Sequence, residues 1–115
     1  LGPQLSYFAT DAKTAELVKY MENAWLALQV TFAGEMYEVA QVLGADYNSA
    51  RELWALDPRV SRWHTLVFPS NRGFGGKCLP KDLAAIIAAA KQAGYEPRLL
   101  EEIRATNRRF RENPD

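Results

Sequence analysis

The segment 73–80, GFGGKCLP, surrounds the only cysteine of the chain with three of its seven glycines. If Pro80 opens a helix, Cys78 lies just outside that helix, beside backbone N–H groups that have no intrahelical acceptor. The partial positive charge there, together with Lys77 and Lys81, would favour the thiolate, which is the nucleophilic form of cysteine. A working nucleophile is therefore one interpretation of Cys78. The other is an inert buried side chain, because cysteine is among the most often buried residues.

Two neighbouring features add to this chemistry. Asp82 follows Cys78 by four residues, in the first turn of the expected helix, where it can cap the helix or hold a water molecule near the sulfur. Gly73, Gly75 and Gly76 permit positive φ angles and leave room for a ligand to approach the backbone. The run GFGG lacks the strand and the spacing of a dinucleotide-binding fingerprint. It does not by itself predict a cofactor site.

One long helix is expected ahead of this segment, because the chain has no proline between Thr10 and Gly44. Thr10 can cap the start, Asp11 suits the first turn, and Gly44 can end a helix over 11–43. Its central part, AWLALQVTF (24–32), is apolar on nearly every face. Either the other helices wrap around it or a second subunit covers the remaining face, as in a homodimer. Both explanations stay open.

Three shorter helices are predicted to complete a single all-α domain. They cover 48–56, which Pro58 ends, 80–93 behind a cap at Leu79, and 97–112 behind Pro97. Strand-like alternation is absent from the sequence, so we expect a helical bundle around one long central helix. The connection 57–79 is long and rich in aromatic residues, which indicates an ordered, functional loop.

Composition excludes several other classes of function. Acidic and basic residues number 14 each, so the sequence gives no reason to expect a nucleic acid or an anionic membrane as partner. The basic run 104–111 is expected to be a solvated helix face. His64 and Cys78, one residue of each kind, make no convincing metal site. No segment reaches the roughly 18 apolar residues that span a bilayer, and the single cysteine favours a reducing compartment, so we expect a soluble, cytoplasmic protein.

The sequence also resembles a known family. GFGGKCLPKD (73–82) resembles the active-site signature of the UDP-glucose/GDP-mannose dehydrogenase family, in which a glycine-rich turn is followed by cysteine, one residue and Pro-Lys-Asp. TAELVKYMENAWLA (14–27) is similar to the family's stretch with Ala-Glu, a lysine and an asparagine four residues later. The resemblance covers about residues 7–111, including DPRV (57–60) and Asn107.

This resemblance implies the family's central, dimerisation domain, a bundle like the C-terminal domain of 6-phosphogluconate dehydrogenase. The Rossmann domain and the C-terminal nucleotide-binding domain are expected to be absent from residues 1–115. It also implies oxidation of the primary alcohol of a nucleotide sugar to a carboxylate, with two hydride transfers to NAD. Residues that bind NAD cannot be assigned here, because the resemblance implies that NAD is bound mainly by another domain. The isolated chain is therefore expected to be inactive.

The family's catalytic roles are carried over to four positions. Cys78 matches the cysteine that holds the aldehyde intermediate covalently, as a thiohemiacetal and then a thioester. Lys19 matches the lysine that offsets oxyanion charge, and Asn23 the amide that positions the reacting oxygen. Asp82 matches the carboxylate that assists proton transfer or orients the hydrolytic water.

Substrate-binding roles are carried over as well. Phe74, Gly75 and Gly76 match the turn beside the sugar, and Lys81 belongs to the Pro-Lys-Asp element. Arg59 matches an arginine that reaches the neighbouring subunit's substrate in dimeric relatives. An alternative in another class is a stand-alone helical dimerisation module that kept the motif without the activity.

The sequence departs from the family at two places. Gly34-Glu35 stands where the family usually has Asn-Glu, so an amide is missing and a residue that weakens helices replaces it. The loop between Arg59 and Cys78 is also somewhat longer than in common members. Both departures concern substrate identity and subunit packing rather than the cysteine.

Overall fold

The computed structural model describes residues 11–112, and all regular secondary structure in that range is helical. Four helices follow one another along the chain: α1 (Ala12–Leu43), α2 (Tyr47–Trp54), α3 (Cys78–Gln92) and α4 (Arg98–Glu112). The prediction of an all-α bundle around one long helix is confirmed, since α1 contacts each of the other three helices. No helix within residues 11–112 is both long and apolar enough to cross a membrane.

Helix α1 begins with a side-chain cap and ends at a glycine. Asp11 has an extended backbone, and its Oδ1 accepts a hydrogen bond from the N–H of Thr14 at 2.8 Å. Asp11 is thus the cap itself rather than a residue of the first turn, while Thr10 lies outside the described residues. Gly44 ends the helix with φ of 75°, as the sequence predicts, because glycine adopts this left-handed conformation without steric cost.

Helix α3 begins two residues earlier than predicted. Its first residue is Cys78, its third is Pro80, and Lys77 rather than Leu79 precedes the helix. A proline fits anywhere in the first turn, because the N–H groups there have no carbonyl acceptor within the helix. Pro80 therefore marks the first turn without marking the first residue, and Cys78 belongs to the helix.

The main core lies where α1 crosses α3 and α4. It consists of apolar side chains from all three helices and from the loop before α3: Ala27, Phe74, Leu83, Ile87 and Ile103. Gly34 lets α1 approach α4, because a Cβ atom at Gly34 would lie 2.6 Å from Cε2 of Phe110. The glycine that weakens the helix in isolation is thus a packing residue.

Helix α2 anchors the loop that leads to α3. The Tyr47 hydroxyl donates to the carbonyl of Thr65 at 2.7 Å, and Nε of Arg51 donates to the Thr65 hydroxyl at 3.0 Å. Both side chains are buried. His64 contacts Ser61 of the same loop, with 2.9 Å between its Nδ1 and the serine Oγ. These contacts hold the loop although it contains no regular helix or strand.

Candidate active site

A buried carboxylate on α3 is hydrogen-bonded to an amide on α1. Asp82 is only 2% exposed, and its Oδ2 accepts a hydrogen bond from Nδ2 of Asn23 at 2.5 Å. The two residues are 59 positions apart in the sequence. The helix crossing therefore brings together two residues from the two separate motifs of the sequence.

Two lysines flank this carboxylate. Nζ of Lys19 lies 4.0 Å from Oδ2 of Asp82, and Nζ of Lys81 lies 3.7 Å from Oδ1. Lys19 and Asn23 reach the same carboxylate because residues four positions apart lie on one face of a helix. Both lysine side chains remain more than half exposed, so their charged ends are accessible to a ligand. A buried carboxylate needs such partners, since an unpaired charge away from water is unfavourable.

Cys78 is exposed at the amino end of α3. The alternative of a buried Cys78 is therefore wrong, and its role as a nucleophile stays a prediction. Cys78 and Asp82 are four residues apart on α3, which places them on the same helix face, one turn apart. The thiol thus lies at the positive end of the helix dipole, on the face that carries the buried carboxylate.

The three glycines of the turn before Cys78 differ in their backbone angles and in their neighbours. Gly73 and Gly76 have φ angles of 83° and 80°, which favour glycine. Gly75 does not have a positive φ, but a Cβ atom there would lie 2.9 Å from Nη2 of Arg111. The expectation of positive φ holds for Gly73 and Gly76 but not for Gly75, where a Cβ atom would meet only the mobile end of the Arg111 side chain.

Phe74 is only 6% exposed, because its side chain belongs to the main core. Its ring therefore points into the protein, while Gly75 and Gly76 next to it are exposed. Any ligand beside this turn would meet the two glycines rather than the face of the ring.

Arg59 lies apart from the Asp82 cluster. Its guanidinium binds the carboxylate of Asp57, with Nη2 2.6 Å from Oδ2, and its side chain is 87% exposed. This hydrogen bond raises the pKa of Arg59 and lowers that of Asp57. Arg59 borders a hollow of about 240 Å³ whose other walls include Trp25, Phe32 and Trp54. The structure therefore does not bring Arg59 together with Asp82 within one chain.

A second charged cluster was not predicted from the sequence. Glu38 on α1 accepts hydrogen bonds from Nη1 of Arg72 at 2.6 Å and from Nη1 and Nη2 of Arg109 at 2.9 and 3.0 Å. The hydrogen bonds from Arg109 and then those from Arg72 lower the pKa of Glu38 to about 2. Both guanidinium groups also lie over the buried ring of Phe110, at 4.9 and 4.8 Å from its centre.

This cluster gives no local signal in the sequence. Its members are separated by 34 and 71 positions, so no helical spacing connects them. The basic run 104–111 was expected to be a solvated helix face, and its residues Arg108, Arg109 and Arg111 are exposed, while Asn107 and Phe110 on the other face are buried. The helical spacing of Asn107 and Phe110, three residues apart, was the available indication in the sequence that one face of this run is covered.

The fold and the site together define a helical domain with a candidate nucleophilic active site. A lysine and an amide from one helix meet a carboxylate from another, one turn from an exposed thiol. Residues 13–109 match the sequence profile described as UDP-glucose/GDP-mannose dehydrogenase family, central domain. The chain belongs to this family.

Individual relatives agree with this assignment. The chain is 41% identical over 92 residues to the UDP-glucose 6-dehydrogenase AglM of Haloferax volcanii. These 92 residues are 80% of the chain and 21% of AglM. It is 35% identical over 102 residues to the UDP-glucose 6-dehydrogenase TuaD of Bacillus subtilis, over 89% of the chain and 22% of TuaD. A UDP-glucose 6-dehydrogenase of Pseudomonas aeruginosa is 35% identical over 100 residues, 87% of the chain and 21% of that protein. The chain thus spans about a fifth of the length of these relatives.

Proposed function

We propose that residues 1–115 form the central domain of an NAD-dependent nucleotide-sugar dehydrogenase that oxidises a sugar CH2OH group to a carboxylate. The observation that carries this proposal is the contact of Lys19 and Asn23 with Asp82, one helical turn from the exposed Cys78. The printed activity of the relatives, UDP-glucose 6-dehydrogenase, supports a nucleotide sugar as substrate.

Cys78 acts in this proposal on the aldehyde that the first oxidation produces. The thiolate adds to the aldehyde carbon, so that a C–S bond forms and the C=O π bond becomes an alkoxide. Lys19 stabilises the alkoxide by its positive charge, and Asn23 donates a hydrogen bond that orients it. This alkoxide is the anion of a thiohemiacetal. Its C=O bond re-forms as the hydrogen on the same carbon leaves as hydride, which gives the thioester; the aldehyde itself has no such favourable route.

Two hydrides are removed per molecule of acid, and two molecules of NAD, bound in succession, would accept one hydride each. Residues 11–112 are not suited to cradle a dinucleotide, because they contain no strand followed by a glycine turn and a helix. No step is therefore assigned to contacts between NAD and these residues. Their task is to hold the substrate carbon and to bind it covalently.

Asp82 serves the final step. Water attacks the thioester carbon, and the C–S bond breaks with its electron pair on Cys78. One proton of the water goes to Asp82, and the carboxylic acid product releases the other to solvent as it becomes the carboxylate. The buried Asp82 carboxylate lies on the Cys78 face of α3, where it can accept a proton from the attacking water. Before that proton transfer, Lys19 and Lys81 balance the negative charge of Asp82.

Substrate contacts are proposed for the surroundings of the thiol. Gly75 and Gly76 leave space for the sugar, the buried Phe74 fixes the turn, and the exposed Lys81 offers a cation to an anionic substrate. Arg59 would reach the substrate of a second subunit, which agrees with its exposed position away from Asp82. A cytoplasmic location is part of the proposal, because a reducing compartment keeps a free thiol such as Cys78 reduced.

A homodimer through α1 is part of the proposal. Large apolar side chains are exposed along the whole length of this helix: Leu17, Met21, Trp25, Phe32, Met36, Val39, Val42 and Leu43. Apolar patches of this extent are typical of protein interfaces. The same face favours the second candidate function, a dimerisation module without activity.

The experiment that separates these candidates uses the natural full-length protein. UDP-glucose, GDP-mannose and UDP-N-acetylhexosamines are each assayed for NAD reduction and acid formation. Cys78→Ser should abolish acid formation, whereas Lys91→Met, which removes a lysine far from Asp82, should leave it intact. Full conversion to the acid by Cys78→Ser would refute the covalent mechanism. No turnover of any of these substrates by the unmodified protein would favour the inactive module.

A further inference from the structure

One side chain of α4 holds the glycine turn that precedes Cys78. Oδ1 of Asn107 accepts a hydrogen bond from the N–H of Phe74 at 2.7 Å, and Nδ2 of Asn107 donates to the carbonyl of Phe74 at 3.0 Å. Asn107 is only 8% exposed. A single buried amide therefore satisfies both backbone groups of the same residue, as a neighbouring strand would in a sheet.

The fit between Asn107 and the turn leaves little freedom. A Cβ atom at Gly73 would overlap Oδ1 of Asn107, and the φ angle of Gly73 is 83°. On the same side of the turn, Nη1 of Arg111 donates to the carbonyl of Arg72 at 3.1 Å. The backbone is thus attached to α4 immediately before and at Phe74.

The position of Phe74 affects the start of α3. The Phe74 ring packs in the core cluster that contains Leu83 of α3, and only three residues separate Phe74 from Cys78. Gly76, with φ of 80°, then turns the chain into the helix. A rotation of the Phe74 peptide groups would therefore move the backbone that leads directly to the thiol.

We propose that Asn107 is a positioning residue, which sets the place of the Cys78 thiol at the start of α3 relative to Lys19 and Asn23 of α1 by holding both backbone groups of Phe74. This inference rests on the proposed function, in which Cys78 is the nucleophile. A purely structural asparagine would differ in one respect. Its loss would lower the stability of the fold but would not change the chemistry of the molecules that remain folded.

The test replaces Asn107 by leucine in the natural full-length protein. Leucine has the same number of side-chain heavy atoms, branched at the same position, but neither hydrogen-bonding group. Asn48→Leu, at an exposed position of α2, is the matched control. Circular dichroism establishes a temperature at which all three proteins are folded. There we expect kcat of Asn107→Leu to fall about 10- to 100-fold while KM changes less than about threefold, because the reacting groups are misplaced rather than the substrate lost.

A second readout does not depend on turnover. The alkylation rate of the Cys78 peptide, followed by mass spectrometry, should change by more than about threefold in Asn107→Leu, since thiol reactivity follows its surroundings. The proposal is overturned if kcat and the alkylation rate of the folded variant both stay within about threefold of the unmodified protein. If Cys78→Ser retains full conversion, the proposed function fails, yet the alkylation rate still decides the positioning role.

A measurement on the unmodified protein covers the case in which Asn107→Leu does not fold. The Phe74 amide should exchange its hydrogen slowly, because Asn107 holds it in a buried hydrogen bond. If the Phe74 amide exchanged as fast as exposed loop amides, the hydrogen bond between Phe74 and Asn107 would be contradicted.

Discussion

Gly34 of α1 lies against the ring of Phe110 of α4, so closely that the smallest side chain would overlap it. A Cβ atom at Gly34 would come within 2.6 Å of Cε2 and 3.0 Å of Cζ of Phe110. Phe110 is completely buried, so its ring is enclosed by neighbouring protein atoms. This contact limits how closely α1 and α4 can approach each other.

Gly34→Ala should therefore destabilise the protein. Two effects compete: alanine favours the helix by roughly 0.5–1 kcal/mol, whereas overpacking of a filled core costs about 1–3 kcal/mol. We expect the steric effect to dominate, with a net loss of about 1–2 kcal/mol in the free energy of unfolding, measured by urea denaturation. Phe110→Leu in the same chain should reduce the loss, because it relieves the overlap. A gain in stability from Gly34→Ala alone would show that the ring adapts.

Glu38 should make stability depend on pH in the acid range. Its pKa is lowered from 4.5 to about 2 in the folded protein, so the ionised form stabilises the fold above about pH 4.5. This contribution is lost as the pH falls from 4.5 through about 2. At neutral pH we expect Glu38→Gln to lose on the order of 2 kcal/mol of unfolding free energy, allowing for the partial exposure of the side chain.

The matched control for Glu38 is Glu35→Gln, an exposed residue of the same helix. Urea denaturation at a series of pH values should show the difference between Glu38→Gln and the unmodified protein shrinking below about pH 4.5. A difference that stays constant down to pH 2 would mean that the charge of Glu38 is not the cause.

Asn23→Ala should lower stability more than the same change at an exposed asparagine. It removes the donor to a carboxylate that is only 2% exposed. Loss of a hydrogen bond to a buried charged group costs about 1.5–3 kcal/mol, whereas Asn48→Ala on the exposed face of α2 should cost less than about 0.5 kcal/mol. Thermal unfolding of both variants compares the two changes directly. Equal unfolding temperatures for Asn23→Ala and Asn48→Ala would contradict the hydrogen bond between Asn23 and Asp82.

Phe32→Glu should weaken self-association, if α1 forms the proposed homodimer. Phe32 is 48% exposed in the middle of the apolar face, and a charge there would have to be desolvated in an interface. Sedimentation should give a dimer for the unmodified protein and a monomer for Phe32→Glu. Tyr95→Glu, between α3 and α4, introduces the same charge at an exposed residue off α1 and should remain a dimer. A monomer for the unmodified protein at high concentration would refute this part of the proposal.

Local signals in the sequence predicted the fold well. The absence of proline between Thr10 and Gly44 and the glycine at the end located α1 almost to the residue, because helix termination is decided by neighbouring residues. The start of α3 was two residues wrong, since proline is equally compatible with several positions of a first turn. Motifs at 19–23 and 78–82 identified the residues that meet around Asp82.

Long-range contacts were beyond sequence analysis. The pairing of Glu38 with Arg72 and Arg109, and of Asn107 with Phe74, depends on how closely the helices approach each other. Gly34 sets part of that approach, yet by itself it indicates only a weaker helix. Exposure of Cys78 likewise follows from the packing around it, and residue type alone favoured burial.

The uninterrupted helix α1 connects the Asp82 cluster with the Glu38 cluster. Lys19 near its beginning contacts Asp82, and Glu38 near its end holds Arg72, just before the glycine turn. These two anchor points are about 28 Å apart along one uninterrupted helix axis. The segment 72–82 is therefore attached to α1 at both of its ends, through Arg72 and Asp82. A shift of α1 would be transmitted to both ends of this segment.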